Sequence, residues 1–394
     1  MKILYAYGTS KAEEIVTALR KLGQTVYEYP TELENSTLSQ EVVDALVAYI
    51  EERDIELIMS VHLIYNLAVA AYGAKIKYVP VIWDAPYLKP YTMIGKLDNV
   101  WYSTFDKLDR QRFLDAGVPH VLYQPLAVDD DDIRKWNCKE KAKGRYICDI
   151  SFVGNLYDKN SYDAQINVIP PDMQNYFTSI FEEAAFKWDG VNRIYGQTGG
   201  EIIEYIKMVS PGFKLNNRYE IEDVRLFEIS HLIRKLANIE RVCVLNMLAE
   251  THQVYLYTNS RVDPHILPKV TIKPPVITGE PSSIVHAGSK INLNISLKGI
   301  EGGTAKRVMD IMGVGGFALT NYCEETAELF EEDKEIVMFR SPEELLEKVD
   351  YYLAHDEERE QIAKAGQEKV LKCYTYRQMV QRILDWIGEN ENHS

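Results

Sequence analysis

The stretch SKINLNISLKGIEGGTAKRVMDIMGVGGFALTN, residues 289–321, decides the fold. Residues 289–296 have the apolar character of a buried strand, and a glycine-rich loop follows them. A helix is predicted from Ala305, with Thr304 as its N-cap, and residues 315–320 form a second strand. A strand, a helix and a strand in this order make a right-handed crossover between parallel strands. The stretch therefore predicts an α/β domain with a parallel sheet.

The same alternation of strands and helices continues along most of the chain. Strands are predicted at 2–7, 25–30, 55–61, 78–84, 99–103, 121–123, 146–159 (in part), 253–258, 289–296, 315–320 and 335–339. Two such series predict an α/β fold in which two Rossmann-like domains face a central cleft. The predicted parts are an N-terminal domain (1–126), a second domain (127–376) with a helical insertion at about 161–249, and a C-terminal helix (377–394) that packs back on the first domain.

Composition excludes several classes of protein. The 394 residues carry a net charge of −15, which argues against an extended nucleic-acid surface. The five cysteines are scattered without a CxxC pair, so we expect no disulfide framework or zinc site and a reducing, cytoplasmic location. The start MKILYAY predicts a first strand rather than a signal peptide, and no membrane span is expected. The acidic run 129–132 is interpreted as solvated linker rather than as a metal site.

The helix that follows the glycine-rich loop begins with two cations. Lys306 and Arg307 lie where the positive end of the helix dipole disfavours them, by about 0.3–1 kcal/mol each. A bound diphosphate would compensate for this cost, and Asp310, one turn further along the same face, could then accept hydrogen bonds from a ribose. The glycines at 299, 302 and 303 would let backbone N–H groups approach the ligand. The alternative is a surface helix whose cations are simply solvated.

Polar residues in the first domain follow buried strands and are expected at the rim of the cleft. His62 and Asp84 could act as a general base on an acceptor hydroxyl or stabilise charge on the sugar. Their alternative roles are a backbone hydrogen bond for His62 and a helix cap or turn for Asp84. Residues 8–10, which are Gly8, Thr9 and Ser10, are expected to line the cleft near the diphosphate. His286 could touch the donor, although a role in the core is favoured.

Longer segments of the chain resemble a known family. The C-terminal half resembles that of the CgeB-like (spore maturation) glycosyltransferases in SKINLNIS, GGTAKRVMDIMGVGGFALTN, LFEEDKEIVMFRSPEELLEKVDYYLAHDEEREQIAKAGQEKVL and YTYRQMVQRIL. The N-terminal half resembles that family's accompanying domain in VIWDAPY, STFDK and VLYQPLAVD. The resemblance covers most of the chain except residues 161–240. It implies the GT-B fold and transfer from a nucleotide-diphosphate sugar without a bound metal.

The resemblance also implies roles for single residues. In the retaining enzymes of this class a Glu-x7-Glu motif spans the loop and helix; its second Glu corresponds to Asp310, and its first falls at Gly302, one place after Glu301. A Gly-Arg pair of the class corresponds to Gly154 and Asn155, so the missing cation is expected from Arg307 or Lys306. The predicted donor site comprises Gly154, Asn155, Asn294, Lys298, Glu301, Gly302, Gly303, Thr304, Lys306, Arg307 and Asp310. The predicted catalytic residues are Asp84, His62 and Arg307.

These observations predict a glycosyltransferase. It would move a sugar from a nucleotide-diphosphate donor, with a UDP-sugar expected, to a hydroxyl of a protein, glycan or small molecule, using no further cofactor. Two alternatives remain open at this point. One is a nucleotide-sugar 2-epimerase of the same fold, and the other is a sugar-nucleotide-binding protein without catalysis.

Overall fold

The computed structural model describes residues 1–8, 12–33, 37–142 and 147–391. It consists of two α/β domains, each with a six-stranded parallel sheet, and so confirms the predicted fold class. A helical insertion interrupts the second domain, also as predicted. Among the described residues, no helix combines the length and the apolar character that crossing a bilayer requires.

The first domain has the strand order β2-β1-β3-β4-β5-β6. Its strands are β1 (Lys2–Tyr5), β2 (Thr25–Glu28), β3 (Leu57–Val61), β4 (Lys77–Val81), β5 (Trp101–Thr104) and β6 (His120–Tyr123). Its helices are α1 (Glu13–Lys21), α2 (Gln40–Arg53), α3 (Tyr65–Ala74) and α4 (Lys107–Asp115). The central strands β3 and β4 are buried on both faces, as expected for a sheet that helices cover on two sides.

Two short helices, α5 (Asp130–Trp136) and α6 (Cys138–Ala142), connect the domains. The acidic run predicted to be a solvated linker begins the first of these helices. Asp129 is the N-cap of α5, and its Oδ1 accepts hydrogen bonds from the backbone N–H groups of Asp131 (2.9 Å) and Asp132 (3.0 Å). Carboxylates in a first helical turn are favoured by the helix dipole, which gives the run a local structural role.

The second domain has the strand order β12-β11-β10-β7-β8-β9. Its strands are β7 (Cys148–Val153), β8 (Val254–Tyr257), β9 (Thr271–Lys273), β10 (Ser289–Asn294), β11 (Ala318–Asn321) and β12 (Val337–Phe339). Its helices after the insertion are α12 (Glu280–Gly288), α13 (Lys306–Gly313), α14 (Glu324–Leu329), α15 (Pro342–Ala354) and α16 (Asp356–Cys373). Sequence patterns did not predict β9, which is a three-residue, largely exposed edge strand followed by two prolines.

The insertion between β7 and β8 has a core of its own. It consists of α7 (Ser161–Gln165), α8 (Pro171–Ala184), α9 (Gly200–Val209), α10 (Asp223–Phe227) and α11 (Ile233–Ala249), with a π-helical turn over Glu228–Leu232. Phe177, Ile203, Ile206 and Phe227 are fully buried at its centre. The insertion is therefore a packed helical subdomain.

The chain crosses between the domains a second time near its end. Val128 and Tyr374 lie side by side at the two crossings, where Val128 N donates to the Tyr374 carbonyl oxygen (2.9 Å) and Tyr376 N donates to the Val128 carbonyl oxygen (3.1 Å). The last helix, α17 (Tyr376–Glu391), then packs on the first domain, where Val380 and Ile383 are buried against residues of α1 and the first sheet. The two domains are thus joined by paired crossings.

Candidate functional site

The carboxyl ends of the two sheets meet across the interface between the domains. The loop that follows β10 touches the start of α4 in the first domain, where Lys107 N donates to the Gly302 carbonyl oxygen at 2.8 Å. In open α/β sheets, ligands bind outside the carboxyl ends of the strands, where the strand order changes direction. In the second sheet that point lies between β7 and β10, and α13 begins directly beside it.

Helix α13 begins one residue later than predicted. Its N-cap is Ala305, which offers no side-chain hydrogen bond, and its first residue is Lys306. The prediction that Thr304 caps the helix is wrong, because this buried hydroxyl instead donates to the carboxylate of Glu325 and lies 2.9 Å from the Thr326 hydroxyl. The amphipathic pattern was interpreted correctly, since Val308, Ile311 and Met312 are buried.

Arg307 lies at the head of α13 and points toward β7. Its guanidinium lies over the ring of Phe152 (5.4 Å to the centroid), and its Nη1 donates to Asn294 Oδ1 at 3.2 Å. A Cβ on Gly154 would come within 2.6 Å of Nη2, so the glycine leaves room for the guanidinium in this position. Burial, followed by repulsion from Arg241, lowers the pKa of Arg307 to about 10, and the side chain remains a cation at neutral pH.

Lys306 is neutralised within its own helix. It forms an i,i+4 ion pair with Asp310, and both side chains are about one-quarter exposed. Asp310, which was predicted to contact a ribose, is therefore paired with Lys306 in this structure. The cost of placing two cations at this helix start is thereby reduced for Lys306, whereas Arg307 has no carboxylate partner among the described residues.

The glycine-rich loop has a different role from the predicted one. The backbone N–H groups of Glu301 and Gly302 donate to Asp106 Oδ2 of the first domain, at 3.0 and 3.1 Å. A Cβ on Gly303 would lie 2.8 Å from the Phe105 carbonyl oxygen. The Gly302 N–H group is therefore occupied by the first domain rather than free to approach a ligand, and Gly302 and Gly303 allow the two domains to pack closely. Glu301 forms an ion pair with Arg112 across the same interface.

Three other residues of the predicted donor site form hydrogen bonds within the protein. The side chain of Lys298 is only 8% exposed, and its Nζ donates to the carbonyl oxygens of Ala184 (2.6 Å) and Lys187 (2.5 Å) in the insertion and lies 3.3 Å from Glu240 Oε1. Asn155 accepts a hydrogen bond from the backbone N–H of Tyr157, which orders its own loop. The Asn294 amide donates to Ser296 Oγ and Thr320 Oγ1, both at 2.9 Å, and so presents Oδ1 to Arg307.

In the first domain, the structure brings His62 and Asp84 together. His62 Nε2 lies 3.2 Å from Asp84 Oδ2. The imidazole is buried and stacks on Tyr87 (5.3 Å between ring centroids), whereas the side chain of Asp84 is 79 % exposed. The hydrogen bond from His62 lowers the pKa of Asp84 below its usual value. An ionised carboxylate that a buried histidine holds in place is thus presented at the cleft.

The remaining predicted residues are Gly8, Thr9 and Ser10 of the first domain and His286 of the second. Gly8 is buried at the end of the first strand, whereas Thr9 and Ser10 lie outside the described residues. His286 is a buried core residue, as the favoured interpretation has it. Its Nδ1 lies 3.1 Å from Asn292 Oδ1, and burial lowers its pKa to about 4.

Sequence analysis missed three residues of the site. Asp106 of the first domain holds the glycine-rich loop, as described above. Arg241 of the insertion donates to the carbonyl oxygens of Asn155 (2.5 Å) and Ile295 (2.6 Å), and so joins the loops after β7 and β10. Glu325 is buried, accepts hydrogen bonds from Thr304 and from the Tyr123 hydroxyl of the first domain (2.5 Å), and has its pKa raised to about 7 by burial. Arg241 could have been noticed in the sequence, because it is a charged residue at an otherwise apolar position of the helix α11.

Comparison with known proteins agrees with this architecture. Residues 271–385 match the model of a family described as glycosyl transferase-like. Among solved structures, Anabaena Alr3699/HepE in complex with UDP-glucose is 12% identical (TM-score 0.56; 99% of this chain and 100% of that one). Sucrose-phosphate synthase from Thermosynechococcus elongatus is 9% identical, with a TM-score of 0.55 over 100% of this chain and 99% of that one. A glycosyltransferase from Rickettsia africae ESF-5 is 11% identical, with a TM-score of 0.50 over 100% of this chain and 99% of that one. A search of curated proteins gives no match. The chain has the GT-B fold, and residues 271–385 are similar to the glycosyl transferase-like family.

Proposed function

We propose that this protein is a glycosyltransferase that moves a sugar from a nucleotide-diphosphate donor, a UDP-sugar, to an acceptor hydroxyl. The observation that carries the proposal is Arg307, a cation without a carboxylate partner among the described residues, held at a helix N-terminus beside Gly154. The match of residues 271–385 to a glycosyl transferase-like family supports it. The sequence motifs also favour the CgeB-like group within that class.

The electrostatics of the second domain suit a diphosphate. Arg307 and Arg241 are close enough to lower the pKa of Arg307, and an anion near both would relieve that repulsion. The N-terminus of α13 adds its dipole, whereas Lys306 is already paired with Asp310. Arg307 and Arg241 can together neutralise the leaving diphosphate, so we propose that transfer requires no metal ion.

The facing domain supplies the carboxylate. In the proposed reaction the acceptor oxygen forms a bond to the anomeric carbon while the bond from that carbon to the diphosphate oxygen breaks, and the nucleoside diphosphate leaves with the electron pair. Asp84 receives the acceptor proton, and His62 holds the carboxylate in position. Arg307 stabilises the charge that develops on the diphosphate, which is the kind of fixed electrostatic contribution that lowers a barrier.

The test is turnover with and without an acceptor. The protein is incubated with UDP-glucose, UDP-galactose or UDP-N-acetylglucosamine and a panel of glycan and small-molecule hydroxyl acceptors, and released UDP and new glycosides are measured. We expect UDP release that depends on the acceptor and falls in Asp84→Asn. An epimerase would change the UDP-sugar without an acceptor. Tight UDP-sugar binding with no turnover on any acceptor would instead indicate a binding protein.

A further inference from the structure

A second cavity opens beside the cleft, between the first domain and the helical insertion. Its volume is about 880 Å³. The wall from the first domain includes Tyr87, Tyr91 and α4, and the wall from the insertion includes Tyr195 and Arg225. This volume lies within the range of small-molecule sites in proteins. The insertion, which sequence analysis left without a specific role, thus forms one side of a cavity.

Two residues that line this cavity each have a buried polar atom without a hydrogen-bond partner among the described residues. Asp109 is 2% exposed; its Oδ1 accepts from Arg112 Nη1 at 3.2 Å, whereas its Oδ2 has no partner among the described residues. The Tyr195 hydroxyl, on the opposite wall, is also buried and has no partner in the part of the chain that the structure describes. A buried polar group without a partner costs about 1–3 kcal/mol, so a ligand that supplies hydrogen-bond donors here is stabilised.

The charges on the cavity disfavour an anionic ligand. Its walls carry five carboxylates and two arginines, and Arg112 is already paired with Asp109 and with Glu301. The other arginine, Arg225, lies over the ring of Tyr195, with its Cζ 3.1 Å from the centroid. This lining suits a ligand that has apolar ring faces and many hydroxyl groups. The ring faces can pack on the aromatic side chains, and the hydroxyl groups can donate to the hydrogen-bond acceptors.

The cavity adjoins the carboxylate assigned to the reaction. Tyr87 lines the cavity and also stacks on His62, which holds Asp84. On the other side, Glu301 lines the cavity and directly precedes the glycines packed on the first domain. A molecule in the cavity therefore lies against Tyr87, which is connected to Asp84 through the stacked His62.

From this arrangement we propose that the cavity is the acceptor site and that it binds a neutral carbohydrate, whose hydroxyl groups donate to Asp109 Oδ2 and Tyr195 Oη. The inference rests on the proposed transfer function, and it assigns the substrate class on the acceptor side. The insertion then determines which acceptor is used, because Tyr195 and Arg225 belong to it.

The test measures carbohydrate binding apart from turnover. The full-length protein with UDP present is applied to an array of neutral and acidic glycans, and the strongest neutral ligand is titrated by calorimetry. We expect a neutral glycan to bind and Tyr195→Phe to weaken it about fivefold. Tyr205→Phe, the same change at an exposed position of the insertion, serves as the control and should leave affinity within about twofold.

Tyr195→Phe also has a signature that damage to the fold would not produce. Because it removes an unpartnered buried hydroxyl, the melting temperature of the free protein should stay equal or rise. Asp109→Asn is the second variant, and it should also weaken glycan binding. Binding of acidic glycans alone, no glycan binding, or equal effects of Tyr195→Phe and Tyr205→Phe would overturn the proposal. UDP affinity, measured on the same samples, tests the donor function separately.

Discussion

Replacing Arg307 with alanine tests the donor site most directly. The guanidinium has one side-chain hydrogen bond within the described part of the chain, to Asn294, and no carboxylate partner there, so its other N–H groups are available to an anion. A hydrogen bond to a charged group contributes about 1.5–3 kcal/mol. We therefore expect Arg307→Ala to cost about 2–3 kcal/mol in UDP binding, or about 30- to 150-fold in Kd.

The assay compares three ligands by isothermal titration calorimetry. Arg307→Ala should bind UDP about 30- to 150-fold more weakly than the wild type, and its loss of affinity for UMP should be smaller. The variant should bind uridine within about twofold of the wild type, because uridine carries no phosphate. The free energy of unfolding of the ligand-free protein should change by less than about 1 kcal/mol, because the variant removes a part-buried cation that lacks an ionic partner.

A surface arginine provides the control for this experiment. Arg20 is paired with Glu28 on the first domain and is 52 % exposed, so Arg20→Ala should leave the affinities for UDP and uridine unchanged. Equal losses of UDP and uridine affinity in Arg307→Ala would refute the assignment of this residue to the diphosphate. Loss of binding that accompanies a large fall in stability would show instead that Arg307 is structural.

Three further perturbations address the interface between the domains. Gly302→Ala places a Cβ 2.9 Å from the Leu108 amide nitrogen, so we expect it to lower the free energy of unfolding in urea by about 1–3 kcal/mol. The control Gly23→Ala should cost less, because its Cβ meets no described atom within 4 Å, although Gly23 has a positive φ. Equal losses in the two variants would contradict the packing role of Gly302. Asp106→Ala removes the acceptor of four backbone N–H groups and should cost at least about 3 kcal/mol by the same measurement, whereas a change below about 1 kcal/mol would contradict the interdomain contact. Burial raises the pKa of Glu325 to about 7, so the folded protein binds this proton more tightly than the unfolded chain does. The protonated Glu325 therefore contributes to stability below about pH 4.5, and this contribution is lost as the pH rises through about 7. Glu325→Gln should flatten this part of the pH–stability curve, and an unchanged slope would refute the assignment.

Local patterns predicted the fold because each strand and helix carries its own signal. The apolar run of β10 and the 3.6-residue periodicity of α13 are properties of neighbouring residues, and both are present in the structure. The short edge strand β9 has neither length nor an apolar run, so it gave no such signal.

The site was predictable only where it depends on strand ends. The family resemblance connected Arg307 with Gly154, and the structure brings the two together at the ends of neighbouring parallel strands. His62 and Asp84 were each placed at the cleft because each follows a buried strand, whereas their contact with one another was not predicted. Contacts between distant parts of the chain could not be predicted. Lys298 lies more than 100 residues from the carbonyl groups that hold it, and Asp106 lies 195 residues from Glu301, so no local pattern records either contact.

Asp106 has a mechanical consequence for the whole molecule. Its carboxylate caps α4 through Oδ1 and holds the loop of the other domain through Oδ2, while the paired chain crossings at Val128 and Tyr374 join the domains a second time. A rotation of the domains about these two attachments would also have to break the other contacts across the interface, such as the Arg112–Glu301 ion pair and the hydrogen bond from Tyr123 to Glu325. Asp106 would be the fulcrum of such an opening, because one carboxylate holds both domains.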